Sequence, residues 1–148
     1  MTLATKATKP VLLAEHLHPG IHVNSVGPAS RDRIEVDPAI FESFDRVVCD
    51  SAEMVFTEAG DAHQAASVHG FDVARAVDLS QLVSGAVTGR TEGDEITLFK
   101  SVGNGAQDLM VAGRLLELAE ETGAGWVVED VNAIKPPASG GSARVTPP

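Results

Sequence analysis

The sequence predicts an α/β fold, a parallel sheet of three or four strands with flanking helices. Two observations carry that expectation. Strand-like and helix-like segments alternate along the chain, and strands separated by helices pair in parallel through crossovers. The most informative stretch, ITLFKSVGNGAQDLMVAG at 96–113, runs from a β-branched and aromatic strand through Gly103 and Gly105 into an apolar helix. A chain of 148 residues is long enough for one domain with a sizeable core.

Taken in order, residues 2–5 look like the end of a strand and 10–13 are extended. Residues 15–17 have room for one helical turn before the Pro19–Gly20 turn, and 21–26 read as a strand. Asp37 caps a short helix over 38–44, with Pro38 at the first position, where its missing N–H costs nothing. The run RVVCD at 46–50 is a strand, and Ser51 then caps a helix carrying Met54, Val55 and Glu58 on successive turns. Residues 60–74 are small and polar and read as a loop, whereas 79–87 read as a helix ended by Gly89.

The strand at 96 follows, then a helix to about 121 and a strand-like run over 125–131. From Pro136 the tail PPASGGSARVTPP is low in complexity and expected to be disordered. No internal repeat is visible. The chain opens inside a strand-like segment with no earlier strand and helix to pack on. That suggests a truncated reading frame, a split gene or a mis-assigned start.

Composition narrows the function classes. Eleven Lys and Arg against 21 Asp and Glu give a formal charge of -10, which repels nucleic acid and anionic lipid, so neither is an expected partner. No apolar run approaches a membrane span, and MTLATKATKP lacks the apolar block of a signal peptide; the expected location is the cytoplasm. A single cysteine excludes an internal disulfide. Cys49 lies in an apolar run and reads as a small core residue rather than a nucleophile.

The turn at 103–108 spells G-x-G-x-x-D, near the dinucleotide fingerprint G-x-G-x-x-G, and Glu129 and Asp130 stand near where a ribose-binding acid would fall. Asp108 replaces the third glycine, and a carboxylate there would repel a diphosphate. The plainer reading is a turn that lets a helix pack tightly on a strand.

Six segments carry a family resemblance, in order and with family-like spacing. They are AT-x-x-x-x-PVL at 4–12, HPGIHVNSVG at 18–27, RIEVD at 33–37, VVCDS at 47–51, EAGD at 58–61 and GRTEGDEITLFKSVGNGAQD at 89–108. Over residues 2 to about 128 the chain resembles the C-terminal part of ornithine cyclodeaminase and mu-crystallin family proteins. Members use NAD or NADP. A central Rossmann domain holds the dinucleotide, and a second domain binds an amino or imino acid and dimerises. The resemblance therefore implies the second half of a Rossmann-like domain with a returning C-terminal helix over 1–131, followed by a disordered tail over 132–148. The G-x-G-x-x-G half and the lysine and arginines used on the substrate carboxylate have no counterpart here.

Carried over residue by residue, the resemblance implies cofactor contacts at Thr5, at His22, Val23, Asn24, Ser25 and Val26, and at Ser101. Glu58 matches a glutamate near the mu-crystallin ligand. Each has an ordinary alternative: sheet residues at 22–26, a strand terminator at Ser101, a solvated helix acid at Glu58. Cyclodeaminases place an acid where Ala29 stands, and alanine cannot move a proton. A reductase or dehydrogenase relative is thus favoured over a cyclising deaminase, unless the loop re-registers to bring in Asp32.

The remaining constellations are weaker. His16, His18 and His22 form H-x-H-x-x-x-H, but the Pro19–Gly20 turn separates them and a surface turn explains them. His63 and His69 lack a partner motif, Ser30 and Ser101 lack G-x-S-x-G, and Arg31 with Arg33 is weak support for an anion site. No catalytic residue and no metal ligand is assigned. The expected partners are an amino or imino acid in intact relatives, a second copy, or the missing N-terminal half; alone, the chain is expected to be inactive. The alternative is a non-catalytic ligand-binding or assembly module.

Overall fold

The computed structural model describes residues 1–27 and 29–127. The chain divides into two compact units, Met1–Gly105 and Ala106–Pro148. The first holds five strands: β1 (Thr2–Leu3), β2 (His22–Ser25), β3 (Arg46–Cys49), β4 (Ala76–Asp78) and β5 (Thr97–Lys100). All pair in parallel, in the order β1-β2-β5-β3-β4. The α/β class stands, and the count of three or four strands is corrected to five.

The fifth strand is β4, three half-buried residues that no alternation of apolar and polar residues marks. The extended stretch at 10–13 contributes only one bridge, Leu12 to Val36. No strand forms over 125–127, and 128–131 lies outside the described residues, as do Glu129, Asp130 and the tail.

Asp37 accepts from the Ala39 N–H at 3.0 Å and starts a 3-10 helix at Pro38–Ser43, as the cap and proline predict. Ser51 caps α1 (Ala52–Glu58), accepting from Met54 N–H at 3.4 Å. The expected loop at 60–74 is instead largely α2 (Gly60–Ser67) and a 3-10 turn at Val73–Arg75. Its small residues mimic a loop because the helix packs very close: a Cβ on Gly60 would lie 2.4 Å from the Arg31 carbonyl oxygen and 2.5 Å from that of Arg33. Helix α3 (Leu79–Val83) ends sooner than the expected 87, at a turn where Gly85 takes φ +76°. In the first unit, α1 packs on β3 and β4, α3 on β4, and α2 on α1 and on the 3-10 helix that follows Asp37.

The core between sheet and helices holds Leu12, Val23, Val36, Val47, Val55 and Leu98, all essentially fully buried. Phe41 sits edge-on to Phe44, Phe56 and Phe71 at 5.7 to 6.4 Å, and Phe56 stacks on Phe71 at 5.4 Å. Cys49 is buried there, as its apolar context predicts, and burial with Asp50 and Asp78 nearby pushes its thiol up to about 12.

The second unit is dominated by α4 (Gly105–Thr122), close to its expected span. It closes with Gly123 at φ +66° and a bond from the Ala124 N–H to the Ala119 carbonyl, a glycine C-terminal cap. Leu109, Leu115 and Leu116 on this helix are 61–73% exposed.

Candidate functional site

All five strands end on one line. Register pairs Leu3 with Ser25, Ser25 with Lys100, Lys100 with Cys49, and Cys49 with Asp78, the last residue of every strand. In a parallel sheet the loops leaving such a line form a common rim, where α/β proteins bind their ligands. Thr5, Val26, Gly27, Asp50 and Ser101 all lie just past it.

Asp50 organises the middle of that rim. Its carboxylate accepts from the Ser101 hydroxyl at 2.8 Å, the Val102 N–H at 3.1 Å and the Gly103 N–H at 2.8 Å. It also takes the Ser51 N–H at 3.0 Å. The Val102 and Gly103 N–H groups that lead into the glycine turn are thus already bound to a carboxylate. The plainer reading of the turn is not supported either: a Cβ on Gly103 or Gly105 would meet nothing within 4 Å, so tight packing does not select these glycines, and Gly103 is explained by its φ of +86°.

Beneath the rim lies a buried ionic group that sequence reasoning missed. Glu35, Asp61 and Lys100 are 1–2% exposed. The Lys100 ammonium donates to Asp61 Oδ2 at 2.9 Å and to Ser25 Oγ at 2.8 Å. Ser25 in turn donates to Glu35 Oε2 at 2.7 Å, and the Lys100 nitrogen stands 4.0 Å from that oxygen.

Two carboxylates against one ammonium leave one negative charge, which backbone donors meet. The Thr5 and Gly27 N–H groups bind Glu35, at 2.5 and 3.0 Å. Those of Glu35, Val36 and Ala62 bind Asp61, at 2.8 to 3.2 Å. Burial alone would raise the Glu35 carboxyl. The hydrogen bonds from Ser25 and Thr5, and the Lys100 charge, outweigh it and hold the group below its ordinary range.

The signal for this group was present in the sequence. Lys100 shares a strand face with buried Leu98, two residues earlier, and Glu35 sits between Ile34 and Val36. A charge at a core-facing position demands a buried partner.

The residues proposed from sequence do not all converge. Thr5, Ser25, Val26 and Ser101 gather at the rim, whereas His22 opens β2, about 10 Å away at 3.3 Å per residue. Its ring bonds Thr97 Oγ1 at 2.8 Å and Asn24 Oδ1 at 3.0 Å. Arg90 donates to the same Thr97 hydroxyl at 2.9 Å. Val23 is buried in the core, and Glu58 lies exposed on the last turn of α1.

Asp32 is exposed, bonded by the Ser30 hydroxyl and 3.6 Å from Arg33. The Ser30 bond first, and the Arg33 charge, hold its carboxyl below the ordinary range although partial desolvation opposes them. Among the described residues no cluster of His, Cys, Asp and Glu is arranged to hold a metal ion, and no helix is long and apolar enough to cross a membrane.

A model of the ornithine cyclodeaminase/mu-crystallin family matches residues 1–123. The chain belongs to this family. It is 39% identical over 127 residues to the Delta(1)-pyrroline-2-carboxylate reductase of Bacillus cereus, covering 84% of this chain and 38% of that protein. Among solved structures, the Delta(1)-pyrroline-2-carboxylate reductase of Thermococcus litoralis, in complex with NADH and L-proline, matches with a TM-score of 0.78. That match has 36% identity and covers 86% of this chain and 39% of that one. An archaeal alanine dehydrogenase dimer with bound NAD matches at 28% identity and a TM-score of 0.74, over 86% of this chain and 40% of that one. The chain thus spans about two fifths of the length of these family relatives.

Proposed function

We propose that this chain is the second half of a Rossmann-like domain and forms one wall of a nicotinamide crevice. The intact relative would be an NAD(P)-dependent enzyme of amino or imino acids, closer to a reductase or dehydrogenase than to a cyclodeaminase. The observation that carries this reading is the level line of strand ends, with Thr5, Ser25, Val26 and Ser101 gathered there. The Thermococcus litoralis reductase, which holds NADH and L-proline, supports it through 36% identity across this region. Ala29, which cannot carry a proton, weighs against a cyclising deaminase.

The residues fit only part of the cofactor. The Ser25 and Ser101 hydroxyls are spent on Glu35 and Asp50, so what the rim offers a neutral nicotinamide amide is chiefly backbone near Thr5, Val26 and Ser101. The diphosphate finds no cradle, because Asp50 holds the Val102 and Gly103 N–H groups and the sequence contains no G-x-G-x-x-G. When bound, the nicotinamide supplies hydride transfer at the C–N carbon of the substrate. Thr5, Val26 and Ser101 would line the nicotinamide side. Ser25, buried and bonded to Glu35 and Lys100, and Val23 in the core would only hold the strand, and His22 and Asn24 lie on the other face of β2 from these two.

Without a phosphate grip, the chain alone should not bind the dinucleotide at micromolar concentration. Titration with NADH and with NADPH, followed by nucleotide fluorescence, tests this. Micromolar binding by either would overturn it.

A second reading, a non-catalytic assembly or ligand-binding module, draws on the exposed leucines of α4. It expects association with a second copy or with the family's N-terminal half. A monodisperse monomer in sedimentation would weigh against it.

A further inference from the structure

Glu35 joins the exits of two neighbouring strands. Thr5 stands two residues past the end of β1 and Gly27 two residues past the end of β2, so they are equivalent positions on adjacent strands. The sheet ladder ends near there, with the Val26 N–H on the Leu3 carbonyl at 2.9 Å. Beyond it one carboxylate takes over: Oε1 accepts the Thr5 N–H at 2.5 Å and Oε2 the Gly27 N–H at 3.0 Å.

The carboxylate is itself immobilised. The Val11 and Leu12 N–H groups both donate to the Glu35 carbonyl at 2.9 Å, and its N–H donates to Asp61 at 3.1 Å. A Cβ at position 27 would stand 2.4 Å from the Glu35 carboxyl carbon, so the close approach requires glycine.

We infer that Glu35 is a positioning residue that sets the spacing of the loops leaving β1 and β2, working from beneath the rim through Thr5 and Gly27. What those loops serve rests on the crevice reading, but what holds them does not. Replacing a backbone ladder by a side-chain carboxylate lets the loops diverge, as a crevice wall must, while keeping their separation fixed.

The test uses the full chain and no cofactor, so its outcome is separate from that of the dinucleotide titration. Glu35→Gln removes one negative charge and leaves Asp61 and Lys100 paired one to one, so no unpaired charge is created in the buried group. Amide exchange followed by NMR should show Thr5 and Gly27 losing protection by about tenfold or more, the loss of a charge-assisted bond at each. The sheet amides of Val47 and Leu98 should keep theirs. A folded variant with Thr5 and Gly27 unchanged, or with protection lost equally across the sheet, would overturn the inference.

The unaltered chain gives a second readout if that variant does not fold. The charged groups facing Glu35 are Lys100 from β5 and Asp61 from α2. Asp61 has amide contacts of its own, at Glu35, Val36 and Ala62, and these are followed separately. On acidification the Thr5 and Gly27 amide resonances should move together with one midpoint. Separate midpoints, or no movement before the chain unfolds, would overturn the inference.

Discussion

The Ser101 hydroxyl at the exit of β5 donates to Asp50 Oδ2 at the exit of β3, at 2.8 Å across the centre of the sheet. The same oxygen takes the Val102 and Gly103 N–H groups, so one carboxylate shapes the turn before α4. Asp50→Ala removes the acceptor of four donors, of which Gly103 keeps a second one in the Ser101 oxygen, so three are orphaned. A loss of roughly 2–3 kcal/mol in urea unfolding is expected, at about 1 kcal/mol or more per orphaned donor. Ser101→Ala should cost only about 1 kcal/mol, and an equal loss in both variants would refute the arrangement.

Lys100 is the sole cation of the buried group. Lys100→Met strands two carboxylates in the interior and should destabilise the chain by roughly 3–5 kcal/mol. Adding Glu35→Gln to that variant should recover part of the loss, because one of the two unpaired charges disappears. Chemical denaturation of the single and double variants decides it. Strict additivity would show that the residues are not coupled.

Glu35 also fixes how stability varies with acid. Its folded carboxyl titrates below its unfolded value, so the unfolded chain binds the proton more readily. The stabilisation is therefore complete above the ordinary glutamate range and is lost as pH falls through the depressed folded value. Thermal melts from neutrality downward should show this loss, and Glu35→Gln should flatten that part of the profile. A variant with the same acid slope as the parent would contradict it.

Cys49 should behave as an inert thiol. Burial, with Asp50 and Asp78 beside it, holds the thiol near about 12, so almost none is thiolate at pH 8. Alkylation by iodoacetamide should track unfolding, and modification of the folded chain within minutes would be the contrary result.

The sequence made the elements with strong local chemistry legible. Asp37 with Pro38, Ser51 and the Ile96–Phe99 run each announced its element, because caps and β-branched runs act within a few residues. Helix α2 was hidden because close packing selected Gly60, Ala62 and Ala65, whose smallness resembles a loop. β4 was hidden because a three-residue edge strand has no period to show. For the site, the rim positions Thr5 and Ser101 emerged by resemblance, whereas Glu35, Asp61 and Lys100 did not. Local pattern puts Lys100 and Glu35 at core-facing positions, but their pairing with each other and with Asp61 spans 26 to 65 residues of chain and is set by tertiary structure.

Because the five strands among the described residues stop at the same level, loop exchange offers a rational way to reshape the rim. Grafts after β3 and β5 must keep Asp50 and the Ser101–Gly103 turn that it holds. Those after β1 and β2 must keep an amide aimed downward at position 5 and a bare backbone at position 27.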